Sequence, residues 1–191
     1  METSKTINAY ILTGGSSRRF GLDKATSKIN GTDFINLIYE KLQSNFKKIY
    51  SVGKKSYSKK IEFIPDFSFS QAAIVGIITA LRHASSPWSF IISVDTPLIT
   101  SDVVNALKNK IISGKNNLII PIVHGKILPL TGFYHQNCIV YFEKAFSIEN
   151  YTIKDVIPLL NPVIVNLSHY QMELTNVNTQ KQLNQIKKIY T

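Results

Sequence analysis

A glycine-rich and basic segment near the start of the sequence has the residue types of a phosphate-binding loop. It reads ILTGGSSRRFGLDK and covers residues 11–24. Backbone N–H groups next to Gly14 and Gly15 can converge on phosphate oxygens, because no Cβ blocks the approach. Arg19 and Lys24 would add charge-assisted hydrogen bonds to such an anion. The spacing matches neither the P-loop nor the G-x-G-x-x-G dinucleotide motif, and an ordinary turn explains the glycines equally well.

The second candidate is a carboxylate at the end of an apolar run. WSFIISVD covers residues 88–95 and places Asp95 at the predicted carboxyl end of a strand. A carboxylate there is costly unless it is paired, hydrogen-bonded or bound to a cation. Asp95 could simply accept hydrogen bonds from the amides of the following turn. Opposite a phosphate loop, however, the position favours Mg²⁺, which often binds one or two carboxylates together with phosphate oxygens.

Apolar runs alternate with helical patterns along the whole chain. The runs predict strands at residues 7–12, 49–53, 61–66, 88–95, 117–123 and 162–167. Strands that alternate with helices predict a three-layer α/β fold, in which helices cover both faces of a mostly parallel sheet. The glycine-rich loop, Asp66 and Asp95 each lie at the end of a predicted strand. Because ligands of such sheets bind beyond the carboxyl ends of the strands, these three stretches are predicted to meet at one site.

Helix boundaries follow from spacing and from capping residues. After a tight turn at Asn30 and Gly31, helical spacing predicts a helix with Thr32 or Asp33 as its N-cap. Further helices are predicted at residues 72–84, from Ser101 or Asp102 to about Ile112, within residues 125–150 beside a strand pair, and after capping-box patterns at Thr152 with Asp155 and at Thr179 with Gln182.

The formal charge of +10 is carried mostly by lysine. Only three of the 22 Lys and Arg residues are Arg, and two of these are Arg18 and Arg19 in the glycine-rich loop. A paired Arg in a lysine-rich chain indicates planar, bidentate recognition of an anion. The densest lysine cluster has no base-reading motif beside it, which favours a solvated face over nucleic-acid binding. It consists of Lys47, Lys48, Lys54, Lys55, Lys59 and Lys60.

Composition also limits the compartment and the chemistry. No stretch approaches the roughly 18 uncharged apolar residues of a membrane span. The opening METSKTINAY lacks the apolar core of a signal peptide. Cys138 is the only cysteine in the sequence, which excludes an internal disulfide and a thiolate metal cage. We therefore expect a cytoplasmic chain that binds neither a membrane nor a nucleic acid.

Four motifs, in order along the chain, resemble those of molybdenum cofactor guanylyltransferases within the nucleotidyltransferase superfamily. LTGGSSRRFGLDK is similar to the family's L-A-G-G-x-x-R-R-M-G-x-D-K loop. NGTDFINLIYEKL, FIISVDTPLIT and LTNVNTQKQL are similar to three later segments of the family. The resemblance implies one Rossmann-like nucleotidyltransferase domain over residues 1–191, with a nucleotide-binding half at about 1–100 and an acceptor-binding half at about 101–191.

The resemblance also implies roles for individual residues. Asp95 would be the Mg²⁺ ligand, and Arg19 and Lys24 would act with it in catalysis by binding phosphates. Asn176 and Asn178 match a pair of asparagines on the family's acceptor side, although a turn leading into the following helix explains them equally well. The nucleotide-binding residues that the family motifs imply are Leu12, Thr13, Gly14, Gly15, Lys24, Ser51, Asp66 and Asp95.

The implied reaction is transfer of GMP from GTP to molybdopterin in its molybdenum-loaded form, with Mg²⁺ as cofactor and pyrophosphate as leaving group. The family further implies a monomer or weak oligomer that hands its product to a molybdoenzyme or chaperone. Departures from the motifs put the choice of nucleotide in question: Thr13 replaces Ala, Ser51 replaces Asn, and SQAAIVG at residues 70–76 replaces a G-P-L-A-G-like loop. The alternatives are a relative that uses CTP or another phosphorylated acceptor, and a non-catalytic module that binds nucleotides or nucleic acid.

Overall fold

A mixed sheet of eight strands forms the centre of the fold. The computed structural model describes residues 6–14, 24–112 and 114–190. Two further short strands form a separate hairpin around the predicted turn, where Asn30 and Gly31 both have positive φ; they are β2 (Lys28–Ile29) and β3 (Thr32–Asp33). The strands are β1 (Asn8–Leu12), β2 (Lys28–Ile29), β3 (Thr32–Asp33), β4 (Ile49–Gly53), β5 (Glu62–Pro65), β6 (Trp88–Ser93), β7 (Leu118–Val123), β8 (Lys126–Ile127), β9 (Thr131–His135) and β10 (Pro162–Asn166). The helices are α1 (Phe34–Leu42), α2 (Ala73–His83), α3 (Ser101–Lys108), α4 (Ile139–Ser147), α5 (Ile153–Val156) and α6 (Gln180–Tyr190).

The strand order in the central sheet is β10-β7-β9-β6-β1-β4-β5, with β8 paired to β7. β1 is parallel to both β4 and β6, β4 is parallel to β5, and β7 is parallel to β10. β9 is antiparallel to its neighbours β6 and β7, because it keeps the direction of β8 after the tight β7–β8 hairpin. The predicted α/β fold with a mostly parallel sheet is therefore confirmed, with β8 and β9 as its antiparallel members.

Helices pack on both faces of the sheet, as the three-layer prediction requires. Successive side chains of a strand point to opposite faces. In β1, Ala9 and Ile11 belong to one buried cluster, whereas Tyr10 and Leu12 belong to the other. The first cluster contains apolar side chains of α1, α3 and α6, and the second contains those of α2, α4 and α5. Burial on both faces explains why the central parallel strands β1, β4 and β6 are mostly apolar runs.

α3 is shorter than the sequence predicts. It begins at Ser101 as expected, but it ends at Lys108 rather than near Ile112. The residues that follow make backbone hydrogen bonds to carbonyls three residues back, which tightens the chain into a turn. Thr100 occupies the N-cap position, so the predicted cap at Ser101 or Asp102 is wrong.

None of the described helices combines the length and apolar character that a bilayer span requires.

One of the two predicted capping boxes forms. Before α6, Thr179 Oγ1 accepts a hydrogen bond from Gln182 N at 3.2 Å, and Gln182 Oε1 accepts one from Asn178 N at 2.8 Å. Before α5, Thr152 makes no side-chain cap, so the box predicted with Asp155 is wrong. The asparagine side chain two residues before Thr152 bonds to both residues instead, which removes the need for the box.

A close contact between the ends of β1 and β4 requires glycine at position 53. Thr13 Oγ1 donates a hydrogen bond to the Val52 carbonyl at 3.0 Å and thereby lies against the end of β4. A Cβ at Gly53 would lie 2.2 Å from that hydroxyl oxygen. Thr13 and Gly53 are therefore a coupled pair, since the larger side chain on one strand needs the missing side chain on the other.

We expect Gly53→Ala to lower the free energy of unfolding by about 1–3 kcal/mol, because the new methyl group overlaps Thr13. Urea denaturation followed by circular dichroism measures this loss. In a Thr13→Ala background the same substitution should be less destabilising, since the overlapping hydroxyl is gone. Equal losses in the two backgrounds would contradict the proposed contact.

Candidate functional site

The carboxyl ends of the parallel strands meet at one edge of the sheet. Gly14 lies two residues after β1, Asp66 directly follows β5, and Asp95 lies two residues after β6. The strand pairing continues beyond the strand ends, since Asp66 N donates to the Gly53 carbonyl at 2.8 Å. The structure thus brings the three stretches to the same edge, as their positions after predicted strands suggest.

A cleft lies at this edge, between the end of β1 and the start of α2. A Cβ at Gly76 would lie 3.2 Å from a methyl group of Leu12, so this glycine allows α2 to approach β1 closely. Most of the cleft wall is small or apolar, and one carboxylate lies in it. The residues that line the cleft include Leu12, Gly14, Asp66, Ala72, Gly76 and Leu130.

Asp66 is the buried carboxylate of this cleft. Its side chain is 4% exposed, and Oδ2 pairs with Lys54 Nζ at 3.1 Å. Oδ1 is buried and has no hydrogen-bond partner in the described part of the chain. Burial raises the pKa of Asp66, while the hydrogen bond and the charge of Lys54 oppose that rise. A ligand that donates a hydrogen bond to Oδ1 would therefore satisfy an atom that the protein leaves unpaired.

A second cluster joins Lys24 to Asp95 and Asn178. Lys24 Nζ lies 3.4 Å from Asp95 Oδ2 and 2.5 Å from Asn178 Oδ1. The side chains of Lys24 and Asp95 are 18% and 14% exposed, so the ion pair is largely removed from bulk water. A carboxylate in such surroundings needs a compensating charge, and the ammonium group of Lys24 provides it. Two oxygens from distant parts of the sequence thus converge on one cation.

Backbone and side-chain hydrogen bonds tie this cluster to the segment before α6. Val177 N donates to the Asp95 carbonyl at 2.7 Å. Thr96 Oγ1 donates to Asn176 Oδ1 at 3.0 Å. α6 in turn packs against β2, which follows the short turn that carries Lys24. These contacts explain why Asn176 and Asn178, at the far end of the sequence, lie beside Asp95.

The oxygens around Lys24 have the donor chemistry of a magnesium site. Within residues 6–14, 24–112 and 114–190, no group of three or more His, Cys, Asp or Glu side chains could hold a metal ion. Mg²⁺, however, usually keeps several waters and takes only one or two carboxylates together with phosphate oxygens. Asp95 Oδ2 and Asn178 Oδ1 already share the ammonium group of Lys24. The arrangement therefore fits a divalent cation that is bound partly through a phosphate ligand.

Ser51 does not reach the cleft. It is 1% exposed, and its hydroxyl donates to the Glu62 carbonyl at 3.4 Å. In the parallel register Ser51 lies opposite Ile11 and shares its sheet face, whereas Leu12 turns to the other face and lines the cleft. The predicted contact between Ser51 and a nucleotide base stays a prediction that this geometry does not support.

Of three further residues predicted from the glycine-rich loop, the structure describes Thr13 only. Thr13 directs both its hydroxyl and its backbone N–H to the Val52 carbonyl, so its predicted backbone contact with a nucleotide stays a prediction. Gly15 and Arg19 lie outside the described residues, so their predicted roles stay predictions.

Sequence patterns did not indicate Lys54, Thr96 or Leu130 as site residues. Lys54 belongs to the lysine cluster assigned to a solvated face, yet it directly follows β4 and lies against Asp66. Its position after a parallel strand is the signal that could have identified it. Leu130 carries no such signal, because it reaches the cleft from the segment between β8 and β9 through a hydrogen bond from Ser93 N to its carbonyl at 2.8 Å.

Comparison with known proteins indicates the family of this chain. The model of the MobA-like NTP transferase domain matches residues 9–171. A protein of Natranaerobius thermophilus named "Probable molybdenum cofactor guanylyltransferase" is 28% identical over 95% of this chain and 95% of its own. A protein of Bacillus cytotoxicus with the same name is 29% identical over 93% of this chain and 94% of its own.

A solved structure has the same fold. The crystal structure of molybdopterin-guanine dinucleotide biosynthesis protein A from Archaeoglobus fulgidus superposes with a TM-score of 0.81 at 23% identity, over 96% of this chain and 98% of that one. At this identity the likeness extends to the fold, and the family model covers both the glycine-rich loop and Asp95. The chain therefore belongs to the family of MobA-like NTP transferase domains.

Proposed function

We propose that this chain transfers GMP from GTP to the terminal phosphate of molybdopterin and releases pyrophosphate, with Mg²⁺ as cofactor. The observation that carries the proposal is the convergence of Lys24, Asp95 and Asn178 beside an apolar cleft at the carboxyl ends of parallel strands. The names of the relatives support the choice of GTP and of the pterin acceptor. The activity would lie in the cytoplasm, and the product would pass to a molybdoenzyme or its chaperone.

The reaction requires positioning and charge neutralisation more than a strong base. The terminal phosphate of molybdopterin is an anion near neutral pH, so one of its oxygens can attack the α-phosphorus of GTP directly. The bond from that phosphorus to the oxygen bridging the α- and β-phosphates breaks, and pyrophosphate leaves with the electron pair. Repulsion between the two anions and the charge that develops on pyrophosphate are the main obstacles.

Lys24, Asp95 and Asn178 would act on both obstacles. Asp95 would hold Mg²⁺ through the oxygen that now pairs with Lys24, and Asn178 Oδ1 lies beside it on the same ammonium group. When bound, the metal supplies positive charge to the phosphate oxygens. Lys24 would then exchange its bond with Asp95 for the triphosphate, and Arg19 would add a bidentate contact from the glycine-rich loop.

The two ends of the site would bind different substrates. Gly14 and Asp66 belong to residues 1–100 and would bind the nucleotide, whereas Asn176 and Asn178 belong to residues 101–191 and would face the acceptor. Asp95 lies between the two groups, because Val177 N bonds to its carbonyl and Lys24 bonds to its carboxylate. The α-phosphate would therefore bind near Asp95.

Asp95→Asn should lower the rate of pyrophosphate release by about 100-fold or more, because the transition state loses the charge that binds the metal. The assay contains molybdopterin and Mg²⁺ and compares GTP, CTP, ATP and UTP. Asp102→Asn, which removes an exposed carboxylate in the first turn of α3, is the matched control and should retain the rate. Thermal unfolding of both variants shows whether they are folded.

The nucleotide panel separates the alternatives. Release with GTP, lost in Asp95→Asn and kept in Asp102→Asn, supports the proposal. Release with CTP in preference to GTP would contradict guanylyl transfer and indicate a related cytidylyl transfer. Binding of a nucleotide without Mg²⁺-dependent release would indicate a non-catalytic module.

Lys24→Met should weaken GTP binding in the presence of Mg²⁺ by about 10-fold or more, because a charge-assisted hydrogen bond to the triphosphate is lost. Isothermal titration calorimetry measures this affinity. Lys28→Met is the matched control, since Lys28 is four residues away and its side chain is 60% exposed. An unchanged affinity in Lys24→Met would leave Lys24 with a structural role as the partner of Asp95.

A further inference from the structure

An unpaired oxygen of Asp66 marks a specific recognition point in the cleft. Asp66 lines the cleft, and its carboxylate is almost fully buried. Oδ2 forms an ion pair with the ammonium group of Lys54, whereas Oδ1 is buried without a hydrogen-bond partner in the described ranges. A buried acceptor left unpaired is destabilising, so a group that donates to Oδ1 gains more than it would at the surface.

Lys54 holds this carboxylate from outside the cleft. It follows Gly53 at the end of β4, and its side chain is 37% exposed. Its ammonium group bonds both to Asp66 Oδ2 and to the carbonyl of Ser68. One cation thus fixes the orientation of Asp66 and the path of residues 66–72, the segment that ends in the cleft-lining Ala72.

We propose that Lys54 is a positioning residue for guanine recognition: it holds Asp66 through Oδ2, so that Oδ1 accepts hydrogen bonds from N1–H and the 2-amino group of the base. The inference rests on the proposed use of GTP. Guanine carries two N–H donors, N1–H and the 2-amino group, side by side on one edge. Adenine, cytosine and uracil each place an acceptor beside their donor, so an ionised carboxylate disfavours them.

The charge on Asp66 is what makes this selection possible. Burial raises the pKa of Asp66, and Lys54 is the charged side chain that the structure places against it and that opposes the rise. Without Lys54 the pKa would rise further, and the protonated form would become populated at a higher pH than in the wild type. A protonated carboxyl group presents a donor toward the N–H edge of guanine and loses the selectivity.

Equilibrium binding of GTP and inosine triphosphate tests the proposal, because inosine triphosphate differs from GTP only by the absence of the 2-amino group. Calorimetric titrations with Mg²⁺ and without acceptor use the wild type, Lys54→Met, Lys54→Arg and Lys59→Met. Lys59→Met removes the same charge from an exposed lysine of the same cluster and so controls for net charge. Thermal unfolding monitors the fold of each variant.

The wild type should bind GTP about 10-fold more tightly than inosine triphosphate, because one charge-assisted hydrogen bond is lost with the amino group. Lys54→Met should bind the two nucleotides almost equally, mainly through a loss of GTP affinity. Lys54→Arg and Lys59→Met should keep the wild-type ratio. As the pH is lowered from neutral, the ratio should fall at a higher pH in Lys54→Met than in the wild type, since the ionised carboxylate is lost as the pH passes below its pKa.

Three other results would overturn the proposal. Unchanged affinities for both nucleotides in Lys54→Met would show that Lys54 does not position Asp66, and they would leave guanylyl transfer intact. Equal losses of GTP and inosine triphosphate in Lys54→Met would place Asp66 on the ribose or phosphates rather than on the base. A wild type without any preference for GTP over the other nucleotides would contradict both guanine recognition by Asp66 and the proposed function.

Discussion

The parallel pairing of β1 with both β4 and β6 is the constraint on which the site depends. It brings the ends of adjacent strands to one edge, where Gly14 and Asp95 lie beyond β1 and β6. β5 extends the same parallel set and adds Asp66. Because both faces of β1, β4 and β6 are buried, these strands cannot shift register without moving apolar side chains out of their clusters. The polar groups at this edge are therefore held by the core.

The two carboxylates of the site have different surroundings, which fit different parts of a nucleotide. Asp66 lies in an apolar cleft with one oxygen paired and one unpaired. Asp95 shares a cation with Asn178, in a cluster tied to the segment before α6. An unpaired buried acceptor suits a group that donates a hydrogen bond, such as the N–H edge of a base, whereas oxygens that converge on a cation suit phosphates and a metal. The base and the reacting phosphate would thus be fixed at opposite ends of one edge.

Much of this arrangement could be predicted from the sequence, because strand ends and glycines are local signals. The runs ending near Leu12 and Asp95 identified strands, and the motif around Asn178 indicated a group that the structure places beside Lys24. The direction of β9 and the end of α3 could not be predicted, since tertiary pairing and local turns decide them. The ion pair between Lys54 and Asp66 could not be predicted for a similar reason. Composition groups Lys54 with solvated lysines, and only the position of Asp66 in the fold distinguishes it from them.

A crystal structure of the chain with GTP and Mg²⁺ tests most directly whether the cleft and the Lys24 cluster form one nucleotide site. The N–H edge of guanine should lie within hydrogen-bond distance of Asp66 Oδ1, and the metal should lie about 2.1 Å from an Asp95 oxygen. Lys24 Nζ should have moved from Asp95 to the triphosphate. A base bound outside the cleft, or a metal bound away from Asp95 while Lys24 keeps its present bonds, would contradict this arrangement.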